Sequence, residues 1–586
     1  MIVHQGIPEE KQKSRAGILL ESGPEYEYPC SVNDSNAAEK KSYWLVPAVL
    51  ILLSLLFRLP SLAEGEAWAV RLFSPSLDVA LFALVICLYT WAALPGFSVL
   101  AGVLALVGVT VLSFQAADAL VPLFFNRPFE LFTDFTYLPD LYALMRDTMP
   151  AWLFYPGLLL LIAGLGGLGV GLYMGFGYLR RGFQDRMVRY GFLILLAVLV
   201  LADLAGPLGF TANTALPRMA EEAVKIAKKE QILQEQEDAF SRQVQESNRV
   251  LKPLEGLEGA DVFLFIVESY GYTLYSETVH FNPIEPELRE FQNRLDQAGF
   301  RIASTFLDSP AFGGNSWLAD STLATGVRIE NEAAYQLLHD SDVKPIAQFF
   351  NELGYRTVVA MPATTYDWPE GEFYRFERKY YYKDFDYAGP NLKWAPMTDQ
   401  YVLDFVHRNE VLGADSPLFI QYVMISSHYP FNLIPKLFED WSQIGDGSIY
   451  HREDSVEVLP IKPGNQTAGA EGYVEAMAYE LRLLREYLIN FVEGDTLVII
   501  VGDHQPYSGI TGKNKPRSVP LHVISRRADF LKPFLDRGYT EGLIPRQELP
   551  HAGLETFLPS LLENFGSAGA DTGGRSAAVK GVQTTN

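Results

Sequence analysis

Five apolar runs of membrane length, all before residue 212, constrain this chain more than any other feature of it. They cover residues 44–62, 77–95, 97–117, 151–178 and 190–210. A run of about 17–25 apolar residues can cross a bilayer as a helix, which satisfies every backbone N–H and C=O within the segment. Soluble cores do not supply such runs five in series, so residues 44–212 are expected to form a five-helix transmembrane domain. The polar residues 1–43 ahead of the first run argue against a cleaved signal peptide and read as a cytoplasmic tail. Lys40 and Lys41 precede the first run, and Arg180, Arg181, Arg186 and Arg189 crowd the loop between the fourth and fifth. Basic residues favour the cytoplasmic side, which puts the N-terminus inside and everything after the fifth run outside. Arg58 and Arg71, in the first outer loop, run against that pattern. Asp118 and Asp203 read as water-facing carboxylates or as contacts for a lipid head group.

Beyond residue 212 charged and polar residues become frequent. Residues 213–255 are expected to be a connector, helical over 221–250, where Glu, Gln, Lys and Ala dominate and Gly and Pro are absent. From 256 to 565 short apolar runs alternate with amphipathic stretches. Strands are expected at 261–267, 301–306, 357–361, 418–425, 496–501 and 521–525, and helices at 285–298, 344–353, 399–409 and 473–491. That alternation argues an α/β sandwich with a mainly parallel central sheet. Residues 566–586, rich in Gly, Ala, Ser and Thr, are expected to be a disordered tail. The net charge of −23 argues against a nucleic-acid partner, since a phosphate backbone demands a basic face. The two cysteines, Cys30 and Cys87, both precede residue 212, so the C-terminal half holds no disulfide.

Three polar strings in that half carry the chemistry: Val267-Glu268-Ser269, Gly313-Gly314-Asn315-Ser316 and Gly502-Asp503-His504. The first and third directly follow expected buried strands. Ligand sites in α/β sheets lie beyond the C-terminal strand ends. A carboxylate, a hydroxyl and an Asp-His pair brought to one such edge are what a divalent metal and an oxygen nucleophile need. A fourth string, Ser426-Ser427-His428-Tyr429-Pro430-Phe431, follows another expected strand.

The order of these strings resembles the sulfatase/alkaline-phosphatase superfamily, and more narrowly the branch of lipoteichoic acid synthases and membrane phosphoglycerol transferases. Five spans followed by an exported catalytic domain is that branch's layout as well. The resemblance implies that Glu268, Asp503 and His504 bind one divalent metal and that Ser316 is both fourth ligand and nucleophile. A second alignment of the Gly-rich turn places Asn315 at the nucleophile position, which would mean a dead enzyme. The resemblance makes His428 a contact for substrate phosphate or a proton donor to the leaving oxygen. Trp368 and Arg375 are candidates for head-group binding, since an Arg can hold a phosphate through two bonds. Carboxylates with one imidazole suit Mn²⁺, Zn²⁺ or Mg²⁺. His522 reads as a core histidine before a second-metal residue, and Tyr380-Tyr381-Tyr382 as packing.

The expected function is a membrane-anchored, metal-dependent enzyme. It would transfer a phosphoglycerol-type group from a membrane lipid, through a covalent serine intermediate, to a glycan or lipid acceptor. The implied place is a bacterial cell (inner) membrane, with the catalytic domain on the periplasmic or extracellular side. A phosphodiesterase or phosphatase using water is the alternative enzyme. A sulfuric ester hydrolase is disfavoured, because the string that makes formylglycine is absent: Asn514-Lys515-Pro516-Arg517 lacks its first residue. A catalytically inactive membrane scaffold is the non-enzymatic rival.

Overall fold

Val262–Val267 reads Val-Phe-Leu-Phe-Ile-Val, and all six side chains are buried. A strand apolar at every position needs cover on both faces, as in a parallel sheet sandwiched between helices. The computed structural model describes residues 45–60, 75–136, 149–205, 215–248 and 253–566, except 367, 394, 461–465 and 513, plus isolated positions within 138–146. In it this strand, β1, lies at the middle of a mixed sheet. The other strands are β2 (Arg301–Asp308), β3 (Arg356–Met361), β4 (Arg378–Tyr381), β5 (Leu418–Met424), β8 (Leu497–Gly502), β9 (Ser518–Ser525), β10 (Thr540–Glu541) and β11 (Ala552–Gly553). A separate hairpin pairs β6 (Leu433–Pro435) with β7 (Val456–Val458). Among the described residues the sheet order is β10-β2-β9-β8-β1-β5-β3-β4, with β11 beside β2. From β8 to β4 all neighbours are parallel; β9 is antiparallel to both β8 and β2.

Alternate residues of β1 feed two cores. Phe263, Phe265 and Val267 join one, and Val262, Leu264 and Ile266 the other. Two long helices whose residues join the first core, Thr278–Gln297 and Gln466–Phe491, pack against each other. The helix Ser316–Thr325, here called α9, contributes Ala319, Leu323 and Ala324 to the second. Each fully buried Val, Leu, Ile or Phe contributes on the order of 1.5–3 kcal/mol, so burial on both faces holds the sheet without disulfides.

All six expected strands form, but β9 begins three residues earlier than expected, at Ser518. The short β4, β6, β7, β10 and β11 lack an apolar run of their own. The expected helix at 285–298 starts earlier, at Thr278, and carries Pro283 and Pro286 within it.

The N-terminal part is the main departure from expectation. Apolar helices do form at the five expected places: Leu45–Arg58, Leu77–Trp91, Phe97–Phe125, Ala151–Phe183 and Arg186–Ala205. Two of them, Phe97–Phe125 and Ala151–Phe183, are long and apolar enough to cross a membrane. Leu45–Arg58 and Leu77–Trp91 have 14 and 15 residues, which at about 1.5 Å per residue falls short of a ~30 Å hydrocarbon core. A helix at Ala215–Ala227 follows, then Lys229–Ser247 in the expected connector. Asp118 is not free for a lipid: Arg218 Nη2 donates to it at 3.3 Å. Cys30, Lys40, Lys41, Arg71, the side chain of Asp203 and the expected tail from 567 lie outside the described residues.

Gly502 ends β8 where the chain after β1 crosses it. A Cβ there would lie 1.9 Å from the carbonyl oxygen of Tyr270. That neighbour is backbone and cannot rotate away. Gly502→Ala is therefore expected to cost about 1–3 kcal/mol or more, read as a lower melting temperature together with weaker metal binding.

Candidate metal centre

Strand register sets the site. Val267 of β1 lies opposite Gly502 of β8 and opposite Met424 of β5. Glu268, the pair Asp503-His504 and the segment 425–428 therefore leave the sheet at one edge. The Gly-rich turn is tied to the same edge by a bridge between Phe312 and Gln505 and by Gly313 N–H donating to Gln505 O at 2.9 Å. Gly313, Gly314 and Asn315 all have positive φ, at 67°, 143° and 62°. This left-handed turn starts α9 with Ser316, and Asn tolerates that backbone better than most residues. Asn315 thus serves the turn, and the hydroxyl that meets the acidic residues belongs to Ser316.

Ser316 Oγ donates to Glu268 Oε2 at 3.2 Å and lies 3.3 Å from His504 Nε2. His504 Nε2 is 3.4 Å from Glu268 Oε1 and 3.5 Å from Asp503 Oδ2. One ligating atom from each of Glu268, Asp503 and His504 falls within 4.8 Å of the others, and all three residues are buried. Around them the groups are pinned. His504 Nδ1 faces the Gln505 carbonyl at 2.8 Å. A carbonyl can only accept, so Nδ1 carries the proton and Nε2 turns a lone pair to the cluster. Asp503 Oδ1 accepts from Ser269 N–H at 2.8 Å and His504 N–H at 2.6 Å, which leaves Oδ2 toward the cluster. Ser269 Oγ donates to Glu268 Oε1 at 2.9 Å, and Ser427 Oγ to the Glu268 carbonyl at 2.7 Å.

Two buried carboxylates this close cannot both ionise without a neighbouring positive charge. Burial and the facing Glu268 push the Asp503 carboxyl well above the usual carboxylate range. Glu268 is also penalised by burial, but His504 and then His428 outweigh that and hold it below the usual range. A divalent cation resolves the conflict, and the donor set of two carboxylates, one imidazole and one hydroxyl suits Mn²⁺, Zn²⁺ or Mg²⁺. Because the folded-state pKa of Asp503 is raised, its contribution to stability is complete below the ordinary carboxylate range and is lost as pH rises through the raised value. Metal binding displaces that proton and strengthens with pH. Melting temperatures in chelator should therefore fall as pH rises above the ordinary carboxylate range, and the increment on adding Mn²⁺ should grow as they fall.

The structure brings Glu268, Ser316, Asp503 and His504 together. His428 is half-buried at the rim, its Nδ1 on the Tyr429 carbonyl at 2.7 Å, close enough to Glu268 to shift it. Trp368 is set back from the cluster; its Nε1–H donates to Tyr335 Oη at 3.3 Å, and it lines a cavity that begins at Trp317. Arg375 is not brought to the site. It is exposed ahead of β4, and its carbonyl accepts from Asn351 near the start of β3, at the opposite sheet edge. His522 is a core residue. Its Nδ1 pairs with Ser304 Oγ at 2.6 Å and its Nε2 with Tyr270 Oη at 3.0 Å, and burial lowers its pKa to about 3. Sequence reasoning missed Ser269, Ser427 and Asp320. Asp320 was findable, since it lies four residues after Ser316 and so on the same helix face.

Solved structures with a similar fold include the lipoteichoic acid synthase LtaP from Listeria monocytogenes, at 15% identity and a TM-score of 0.32, covering 45% of this chain and 65% of that one. Another is the Streptococcus pyogenes phosphoglycerol transferase GacH, at 13% and 0.34, covering 57% and 91%. A third is the C-terminal periplasmic domain of EcEptC from Escherichia coli, at 13% and 0.32, covering 48% and 75%. A protein in the alkaline phosphatase superfamily from Vibrio parahaemolyticus is also similar, at 15% and 0.32, covering 48% and 67%. No family model matches this chain, and no curated protein does. At these identities and TM-scores the likeness carries no argument about chemistry, which rests on the four convergent side chains.

Proposed function

We propose that this protein is a membrane-anchored, metal-dependent phosphotransferase that moves a phosphodiester head group from a lipid to a hydroxyl acceptor through Ser316. The observation that carries this reading is the Ser316 hydroxyl at 3.2 and 3.3 Å from Glu268 and His504, at the start of α9. The free N–H groups of a helix start favour the phosphate anion there. A bound divalent cation would draw charge from the serine oxygen and from the phosphoryl oxygens as the transition state forms. Glu268 and His504 orient the hydroxyl, and its proton would pass to solvent, because the His504 Nε2 lone pair that faces it would be held by the cation. The Ser316 Oγ–P bond forms, the P–O bond to the lipid alcohol breaks, and His428 at the rim gives that alcohol its proton. An acceptor hydroxyl on a glycan or lipid then attacks phosphorus, gives its proton to the now neutral His428, and frees the Ser316 oxygen as the Oγ–P bond breaks. Phosphoglycerol is the group that the sequence resemblance implies.

Membrane anchorage has its own support. Exposed leucines and isoleucines crowd the helix Ala151–Phe183: Leu159, Leu160, Leu161 and Ile162 are 60–72% exposed. The guanidinium of Arg180, near that helix's end, sits over Phe97 at the start of Phe97–Phe125. At the other end of Phe97–Phe125, Asn126 Nδ2 donates to Lys515 O at 3.1 Å, Asn514 N–H donates to Asn126 Oδ1 at 3.0 Å, and Ser508 Oγ donates to Pro122 O at 3.2 Å. The loop after His504 is thus docked on the helix end remote from the arginines. With basic residues inside, that geometry favours a catalytic domain on the outer face. A phospholipid donor would share the surface with the site, which raises its effective concentration.

Mass spectrometry of the purified full chain after incubation with phospholipid vesicles and Mn²⁺ tests the reading. The peptide containing Gly313 to Trp317 should carry a phospho-head-group adduct on Ser316. An unmodified peptide alongside product release into water would point to direct hydrolysis, and no turnover at all to the scaffold.

A further inference from the structure

Leaving β5, the chain reaches His428 through Ile425, Ser426 and Ser427, and one buried carboxylate holds the start of that path. Asp399, the first residue of the helix Asp399–Val406, accepts from Ile425 N–H at 3.1 and 2.9 Å through its two oxygens and from Ser426 N–H at 2.6 Å. Its own N–H donates back to Ser426 Oγ at 3.0 Å. Ile425 O in turn accepts from His428 N–H at 3.1 Å, and Ser427 Oγ donates to the Glu268 carbonyl. The histidine at the rim and the main chain of one candidate ligand thus hang on the same short segment. Beside Asp399 lies Glu480, on the helix Gln466–Phe491, and both residues are 1% exposed. Neither Glu480 oxygen has a hydrogen-bond partner of good geometry among the described residues. The groups that act on it are the Asp399 carboxyl and Ser427.

We infer that the Asp399–Glu480 pair, holding one proton between its two carboxyls, is a clamp that positions His428. Two facing carboxyls can only accept from one another unless one carries hydrogen, which accounts for the unpartnered Glu480 oxygens. Burial first, then Asp399, pushes the Glu480 carboxyl well above the usual range. Burial also raises Asp399, but the N–H groups of Ser426 and Ile425 pull it back. The proton therefore belongs to Glu480, which donates to an ionised Asp399 whose other lone pairs stay turned to the Ile425 and Ser426 N–H groups. The Tyr450 and Tyr479 hydroxyls also face the pair, and burial keeps both protonated. Two apolar side chains would fill this space without the desolvation cost of a buried carboxyl pair, so packing alone does not call for these residues. Placing the loop does: its backbone N–H groups need an acceptor, and an ionised one holds them about twice as strongly as a neutral one. Loss of the Glu480 proton would set two carboxylates against each other and loosen the hold of Asp399 on the loop. The inference rests on the proposed transfer reaction, in which His428 protonates the leaving alcohol, and adds two positioning residues to it.

Two readouts on the full-length, Mn²⁺-loaded protein in detergent test this. One is hydrogen exchange by mass spectrometry over residues 425–431. The other is turnover of phospholipid in mixed micelles beside bis(p-nitrophenyl) phosphate, whose leaving group departs without a proton. Asp399→Asn should speed exchange over 425–431 at least about tenfold, as the loss of hydrogen bonds to a charged acceptor implies. Its kcat on phospholipid should fall at least about tenfold, as for a displaced proton donor, with KM within about twofold and the nitrophenyl ester much less affected. Glu480→Gln keeps a donor to Asp399 that cannot ionise. It should match the parent near neutrality and keep its protection as pH rises, whereas the parent, corrected for the intrinsic pH dependence of exchange, loosens as Glu480 loses its proton. Unchanged exchange in Asp399→Asn, equal losses on the two esters, or a Glu480→Gln protein that loosens with pH as the parent does overturns the inference. Bound Mn²⁺ and a cooperative melt show that a variant is folded, and if Asp399→Asn fails that check the Glu480→Gln pH series decides alone. A parent that turns over neither ester counts against the transfer reaction, while exchange still decides whether the pair holds the loop.

Discussion

Ser316→Ala should lower turnover by at least about a thousandfold, and toward the ~10⁶-fold seen when a nucleophile is removed from an otherwise intact site. The fold should survive. The side chain makes two long contacts, at 3.2 and 3.3 Å, and losing them costs on the order of 1 kcal/mol. Metal should stay bound, because Glu268, Asp503 and His504 remain. Ser316→Thr keeps the hydroxyl and should keep measurable turnover. Steady-state rates on a phospholipid donor, set beside melting temperature and metal content, check all three points. A Ser316→Ala protein that turns over normally would mean another nucleophile.

Replacing Asp503 should have the second-largest effect, and two substitutions separate its roles. Asp503→Asn keeps an oxygen able to accept the N–H groups of Ser269 and His504, now at 2.8 and 2.6 Å, but removes the negative charge. Its metal affinity should fall by more than the ~10–100-fold that outer partners of metal ligands contribute, with melting close to that of the metal-free parent. Asp503→Ala also strands two buried N–H groups, each costing about 1–3 kcal/mol. It should therefore melt below Asp503→Asn as well as fail to bind metal. Equal melting of the two variants would mean that the N–H bonds contribute nothing. A metal affinity unchanged in both would remove Asp503 from the ligand set.

The central strands were legible because burial on both faces leaves an unbroken apolar run, as in Val262–Val267 and Leu497–Gly502. Glu268 and Asp503 directly follow those runs, so two of the candidate ligands fall at a sheet edge on sequence alone. That the two strands are neighbours is a matter of pairing, which the sequence does not spell out; the match of Val267 with Gly502 supplies it. Ser316 depended on the backbone of the Gly-rich turn. Only the positive φ of Asn315 shows that this residue shapes the turn while its neighbour offers the hydroxyl. Arg375 misled because charge type alone suggested phosphate, whereas its place before β4 sends it to the far edge. Asp320 carried a helical-spacing signal, but the surroundings that leave its Oδ1 without a partner come from distant parts of the chain, Trp368 and Tyr381 among them. In the N-terminal part, composition foretold apolar helices in the right places but not their lengths.

The account stands on four side chains sharing one cation, and anomalous diffraction at the manganese edge from Mn²⁺-soaked crystals of the full chain tests this most directly. The expected result is a single strong peak within bonding distance of Glu268, Asp503, His504 Nε2 and Ser316 Oγ. A map with no peak among those four groups, or with the ion held elsewhere, would contradict it.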